Sequence, residues 1–256
     1  RSWFFGPGGT MTDGATKGAE VDTYSANPRA LPLADFTGGT GGGGLWGNAS
    51  NWSWNWKPNP DGTAVSYVSA PLAKDTTVVG AGAVTVWARS AAPDADFLAT
   101  ISEVDASGHE TFVQNGYMRG SERKLATTSK TILGHPSTQL EPVPSFTSRD
   151  AQPMPRTGFT KVVIPLYYSG HTYRAGTRIR VTIAAPNGTQ PVWSFNEALP
   201  RKGTSQIWIA LSPTMPSSLV LPVVPGVTAA AQPSCGSLRS QPCRTYVPLK
   251  NRTSAR

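Results

Sequence analysis

Hydrophobic and polar residues alternate along much of this chain. Across residues 178–184, Ile179, Val181 and Ile183 fall on one side of an extended backbone, and Arg178, Arg180 and Thr182 on the other. Residues 205–211 repeat the pattern: Ile207, Ile209 and Leu211 alternate with Gln206, Trp208 and Ala210. A period of two marks a half-buried antiparallel strand. Apolar-rich runs at 83–89, 97–105, 111–118, 160–168 and 192–195 predict further strands, and an aromatic strand at Trp3 opens the chain ahead of a Gly-Pro-Gly-Gly turn. Residues 67–123 are strands broken by acidic and glycine turns, with no helix-length pattern among them. Short strands at this spacing, without helical intervals, predict an all-β fold: a two-sheet antiparallel sandwich of jelly-roll type.

Composition supports that class. Among 256 residues there are 26 Gly and 23 Pro, while only 15% are charged, which suits many turns and few solvent-facing helices. The length fits one sandwich domain over 1–256, with a Gly/Trp-rich insertion at 37–60 and a Pro-rich basic tail at 221–256. No apolar run reaches the roughly 18 residues of a membrane span. The first residues lack the basic, apolar and small-residue order of a signal peptide. A start at Arg1 without Met reads as mid-protein, from processing or excision.

The net charge of +8 is concentrated late in the chain, at Arg201, Lys202, Arg239, Arg244, Lys250, Arg252 and Arg256. These cations are scattered through Pro/Ser-rich sequence rather than interleaved with stacking aromatics, so nucleic acid is not the expected partner. A solvated tail, or contact with an acidic neighbouring surface, is. Cys235 and Cys243 sit close together with no nearby His, too few ligands for zinc. They predict a short-loop disulfide, stabilising by roughly 2–3 kcal/mol, and an oxidising compartment.

Catalytic chemistry is hard to find. There is no G-x-S-x-G, HExxH or C-x-x-C. His109, His135 and His171 each sit at a turn or strand end and read as surface or hydrogen-bonding residues rather than general bases. Asp94 and Asp96 form a D-x-D at a strand entrance. They fit either a calcium site or, as favoured here, turn chemistry and ion pairing with Arg119 and Arg123. Trp52, Trp54 and Trp56 alternate, so an extended segment places them on one face, as an interface or a sugar platform. No metal and no cofactor is called for.

At this level of detail the chain becomes specific. The run from Ala70 to Arg123, the Gly170-His171-Thr-Tyr-Arg174-Ala-Gly176-Thr-Arg178 turn and strand, Pro216–Pro225, the paired-cysteine tail and the opening Trp3-Phe-Phe-Gly-Pro-Gly-Gly follow one another in order. Together they resemble the C-terminal non-catalytic domain of cocaine-esterase/NonD hydrolases and X-Pro dipeptidyl-peptidases. That resemblance implies a jelly-roll, galactose-binding-like sandwich docked to an α/β-hydrolase domain of the same protein, which carries the Ser-Asp-His triad. It also implies a secreted bacterial protein. No catalytic residue of the family maps onto this sequence. The expected role is to stabilise the hydrolase domain and wall its active-site cleft. A free-standing carbohydrate-binding module is the alternative, and an enzyme complete in this chain is disfavoured by the missing triad.

Overall fold

The structure is a computed structural model that describes residues 1–31, 56–131, 133–186, 204–238 and 241–253. Its strands are β1 (Ser2–Gly6), β2 (Thr10–Thr12), β3 (Glu20–Ala26), β4 (Ala64–Ser69), β5 (Thr76–Gly80), β6 (Ala83–Ser90), β7 (Asp96–Val104), β8 (His109–Arg119), β9 (Thr160–Pro165), β10 (Ser169–Tyr173), β11 (Arg178–Ala184), β12 (Ser205–Leu211), β13 (Ser218–Val220), β14 (Val223–Val224), β15 (Cys243–Thr245) and β16 (Arg252–Thr253). Among the described residues, helix is confined to single 3-10 turns, and no helix is long and apolar enough to cross a membrane.

The strands form an all-β sandwich. One layer runs β15-β8-β7-β11-β4, and the other centres on β6, which pairs with β12 and β13 on one side and with β9 on the other. Strand β3 continues that layer from β12, and β1 continues it from β13. The layers join at one edge through β2, antiparallel to β1 and parallel to β4. At the opposite edge β8 approaches β9 through a single bridge, Gly116 to Leu166. A β-carbon at Gly116 would lie 1.9 Å from the Pro165 carbonyl oxygen, so only glycine allows that closure. A small sheet, β10-β5-β14, lies apart.

Alternation fills the space between the layers. Val65 and Tyr67 of β4, Ile179, Val181 and Ile183 of β11, Val84 and Val86 of β6, and Ile207, Ile209 and Leu211 of β12 share one continuous core. Phe5 and Tyr67 stack across the layers with ring centroids 4.2 Å apart, an arrangement worth about 0.5–1.5 kcal/mol beyond the area it buries. The β7–β8 hairpin turns at 105–108, where Asp105 Oδ1 accepts the N–H groups of Ser107 and His109 and Gly108 takes φ +82°.

Three expectations need correction. The strand predicted over 160–168 ends at Pro165, and the chain enters β10 only at Ser169. β11 is not half-buried, since Arg180 and Thr182 on its polar side are buried too. For Arg180 the cause is the end of the C-terminal tail, which packs on the sheet and meets an acid there, while much of 224–238 stays exposed. β15 pairs with β8, β16 pairs with β3, and Arg180 lies 5.1 Å from the Tyr246 ring. The segment predicted at 192–195 lies outside the described residues.

Candidate docking surface and buried charge clusters

Pairing of tail and sheet creates a buried charge cluster. Glu110 on β8 accepts a hydrogen bond from Ser102 Oγ at 2.7 Å and faces two guanidinium groups, Arg180 at 3.1 Å and Arg244 at 2.9 Å. The Glu110 and Arg180 side chains are only 1% and 3% exposed. A carboxylate removed from water needs such partners, because isolated buried charge is very costly. The Arg244 guanidinium also lies over Trp56, 3.8 Å from the ring centroid, and Trp56 and Phe112 pack edge to face. Trp56 therefore helps to fasten the tail to β8. Trp52 and Trp54 lie outside the described residues.

A second cluster surrounds Glu103 at the far end of β7. His171 Nε2 lies 2.7 Å from its carboxylate, while the Arg174 N–H, Thr177 Oγ1 and Gln232 Nε2 also donate to it. Burial pushes the Glu103 pKa up, but the His171 hydrogen bond and charge and the other donors outweigh it and hold the group below its ordinary range. His171 Nδ1 meets Gln241 Nε2 at 3.4 Å. With both ring nitrogens engaged, this histidine is not placed to take a proton from a nucleophile. His109 pairs with Asp105, and His135 with Glu141. The disulfide joins Cys235 to Cys243 beside the His171 cluster.

A third buried acid, Asp22 on β3, accepts from Tyr67 Oη at 2.9 Å and Asn251 Nδ2 at 2.8 Å. Burial raises its pKa against those hydrogen bonds.

The D-x-D acids separate in space. Asp96 holds Arg119 through two contacts of 2.8 and 3.2 Å. Asp94 accepts the Ser121 N–H and hydroxyl and the Ala95 N–H, closing the turn after β8. Arg123 hydrogen-bonds to neither acid, although the Asp94 charge acts on it. It follows the 3-10 turn at Gly120–Glu122 and donates to the carbonyls of Gly120 and Gln152 and to Thr160 Oγ1.

Beside the Asp96–Arg119 pair opens an apolar recess of about 310 Å³, lined by Tyr117, Met118, Pro144, Phe146, Pro165 and Pro186. Phe146 stands over it 70% exposed, and Tyr167 and Tyr168 follow Pro165 with 47% and 62% exposure. Tyr167 contacts Tyr117, and Tyr168 donates to Glu141. Phe146 holds φ +48°, the left-handed region that bulky side chains avoid. Both flanks fix it there: the Ser145 N–H donates to the Lys124 carbonyl, and Thr147 Oγ1 to Asp150, which also binds Lys124. A strained, solvent-facing aromatic beside an apolar recess is a feature of binding surfaces.

Residues 2–220 match the profile of the X-Pro dipeptidyl-peptidase C-terminal non-catalytic domain. The chain belongs to that family. Proteins named "Putative serine esterase", from Mycobacterium bovis and Mycobacterium tuberculosis, are each 26% identical over 161 residues, covering 61% of this chain and 25% of their own length. The matched part of the chain spans about a quarter of the length of these curated relatives. Its fold recurs in a CocE/NonD family hydrolase from Staphylococcus aureus (TM-score 0.59, 18% identity) and in an α-amino acid ester hydrolase (TM-score 0.60, 17% identity). Each match covers 87% of this chain and 36% of the other.

Sequence reasoning missed the Phe146 surface. Nothing in an isolated Ser-Phe-Thr marks its aromatic ring as exposed. It missed the Glu110 cluster too, because the partners lie 70 and 134 positions away along the chain.

Proposed function

We propose that this chain is the accessory domain of a larger, secreted α/β serine hydrolase, an esterase or X-Pro dipeptidyl-peptidase, to which it contributes no catalytic residue. It acts as one unit of jelly-roll, galactose-binding-like type, docks on the hydrolase domain through the Phe146 surface, stabilises that domain and walls its cleft. The family match over residues 2–220 carries this reading. The aromatic surface supports it: exposed Phe and Tyr around an apolar recess are the composition of an interface core, where a few aromatic anchors supply most of the binding energy. The disulfide fits an oxidising compartment.

The test is activity. The 256-residue chain is assayed against a chromogenic ester and an X-Pro anilide, alone and within the full-length protein that carries it. The account predicts turnover only with the hydrolase domain present. Turnover by this chain alone overturns it.

A further inference from the structure

The outward face of the β6 layer carries an aromatic floor that the docking surface does not use. On β6, Val84, Val86 and Ala88 point into the core, so Thr85, Trp87 and Arg89 point out. The pairing register aligns Phe4, Ser218, Thr85 and Val163 in one row across β1, β13, β6 and β9, and Ala210, Trp87 and Lys161 in the next. Trp87 and Phe4 are half-buried, and Lys161 is exposed. The loop at 125–139 rises along one side and converts this face into an open cleft of about 780 Å³, within the roughly 300–1,000 Å³ range of small-ligand sites. Thr127, Thr138 and Gln139 supply hydroxyl and amide groups on the wall. Lys161 is the one charged side chain among the described residues lining the cleft.

We infer that this cleft binds a carboxylated polysaccharide. An indole face is apolar, with a negative π-cloud that attracts the polarised C–H groups of a pyranose ring. Sugar hydroxyls need donors and acceptors at the edges, which the wall provides. Lys161, directly across from Trp87, is placed for a ring carboxylate, and no lining acid repels one. The site shares no lining residue with the Phe146 recess, which it adjoins where Ala83 pairs with Pro165 and Leu125 bridges to Pro144.

Affinity electrophoresis of the 256-residue chain through gels containing carboxymethylcellulose or hydroxyethylcellulose tests this, since the two polymers share a backbone and differ in charge. The charged polymer is expected to retard the chain more than the neutral one. Trp87→Ala is expected to weaken retardation roughly tenfold. Trp87→Phe, which keeps packing, should weaken it less. Lys161→Gln is expected to cost roughly two- to fivefold and to remove the preference for the charged polymer. Lys17→Gln, an exposed lysine outside the cleft, controls for the net positive charge. The inference fails if the chain is not retarded, if both polymers retard it equally, if Trp87→Ala in a protein with unchanged melting leaves retardation intact, or if Lys17→Gln weakens it as much as Lys161→Gln.

Discussion

Replacing Glu110 with Gln keeps the shape of the side chain and removes the charge that holds two arginines. The carboxylate is 1% exposed, and Arg180 and Arg244 approach it at 3.1 and 2.9 Å, with side chains 3% and 14% exposed. After substitution both cations remain in the interior without a counter-charge. Breaking a buried pair in this way costs about 3–5 kcal/mol. For a chain of this size that corresponds to a fall in melting temperature of roughly 6–20 °C. Arg244→Met should cost less than half as much, because Arg180 still neutralises Glu110 and methionine can occupy part of the space over Trp56. A double-mutant cycle isolates the coupling, expected at about 1.5 kcal/mol or more. Thermal and urea unfolding of the four proteins measure it. A Glu110→Gln protein within about 1 kcal/mol of the parent, or a coupling near zero, would refute the claim that this cluster fastens the tail.

Other outcomes follow from single sites. Asp22 has a folded pKa raised by burial, so the folded chain holds its proton more tightly than the unfolded chain does. Its contribution is complete below the unfolded value and is lost as pH rises through the folded one. The melting difference between Asp22→Asn and the parent should therefore shift in favour of Asn as pH rises from about 4 to about 7, whereas loss of Glu103, with its lowered pKa, should produce the opposite slope. Asp96→Asn leaves Arg119 half-matched at a rim only partly shielded from water; a melting loss equivalent to about 1 kcal/mol is expected, and no loss would remove the structural role given to that pair. Gly116→Ala forces β8 away from Pro165 and should cost roughly 2–4 kcal/mol by denaturant titration.

The strands most legible in the sequence are those whose two faces differ in chemistry. In residues 205–211 the buried Ile207 and Ile209 alternate with the half-buried Gln206 and Trp208, and the observed strand matches the predicted bounds. β11 has the same bounds as predicted, yet its polar side is buried, because Arg180 reads as solvent-facing until the tail that covers it is known. Strand β3 went unread, and β4 and β5 were given no bounds of their own: Glu20–Ala26 mixes Asp, Thr and Ser with only Val21 and Tyr24 as large apolar residues, and Asp22 is buried against Tyr67 and Asn251. Such long-range polar satisfaction has no local signature. Asp94 illustrates the same limit, since its choice of Ser121 over an arginine depends on how the chain turns after β8. The Cys235–Cys243 bond was within reach, because the two lone cysteines lie eight positions apart.

The central claim is that this chain docks on a hydrolase domain through the Phe146 surface. Phe146→Gly tests it most directly, because glycine accepts the φ of +48° without strain and removes only the exposed ring. The measurement is the affinity of the chain for its hydrolase domain supplied separately, together with the melting temperature of the chain. The account predicts unchanged melting and an affinity at least roughly thirtyfold weaker, the loss of an interface anchor. Unchanged affinity in a normally folded variant would contradict it.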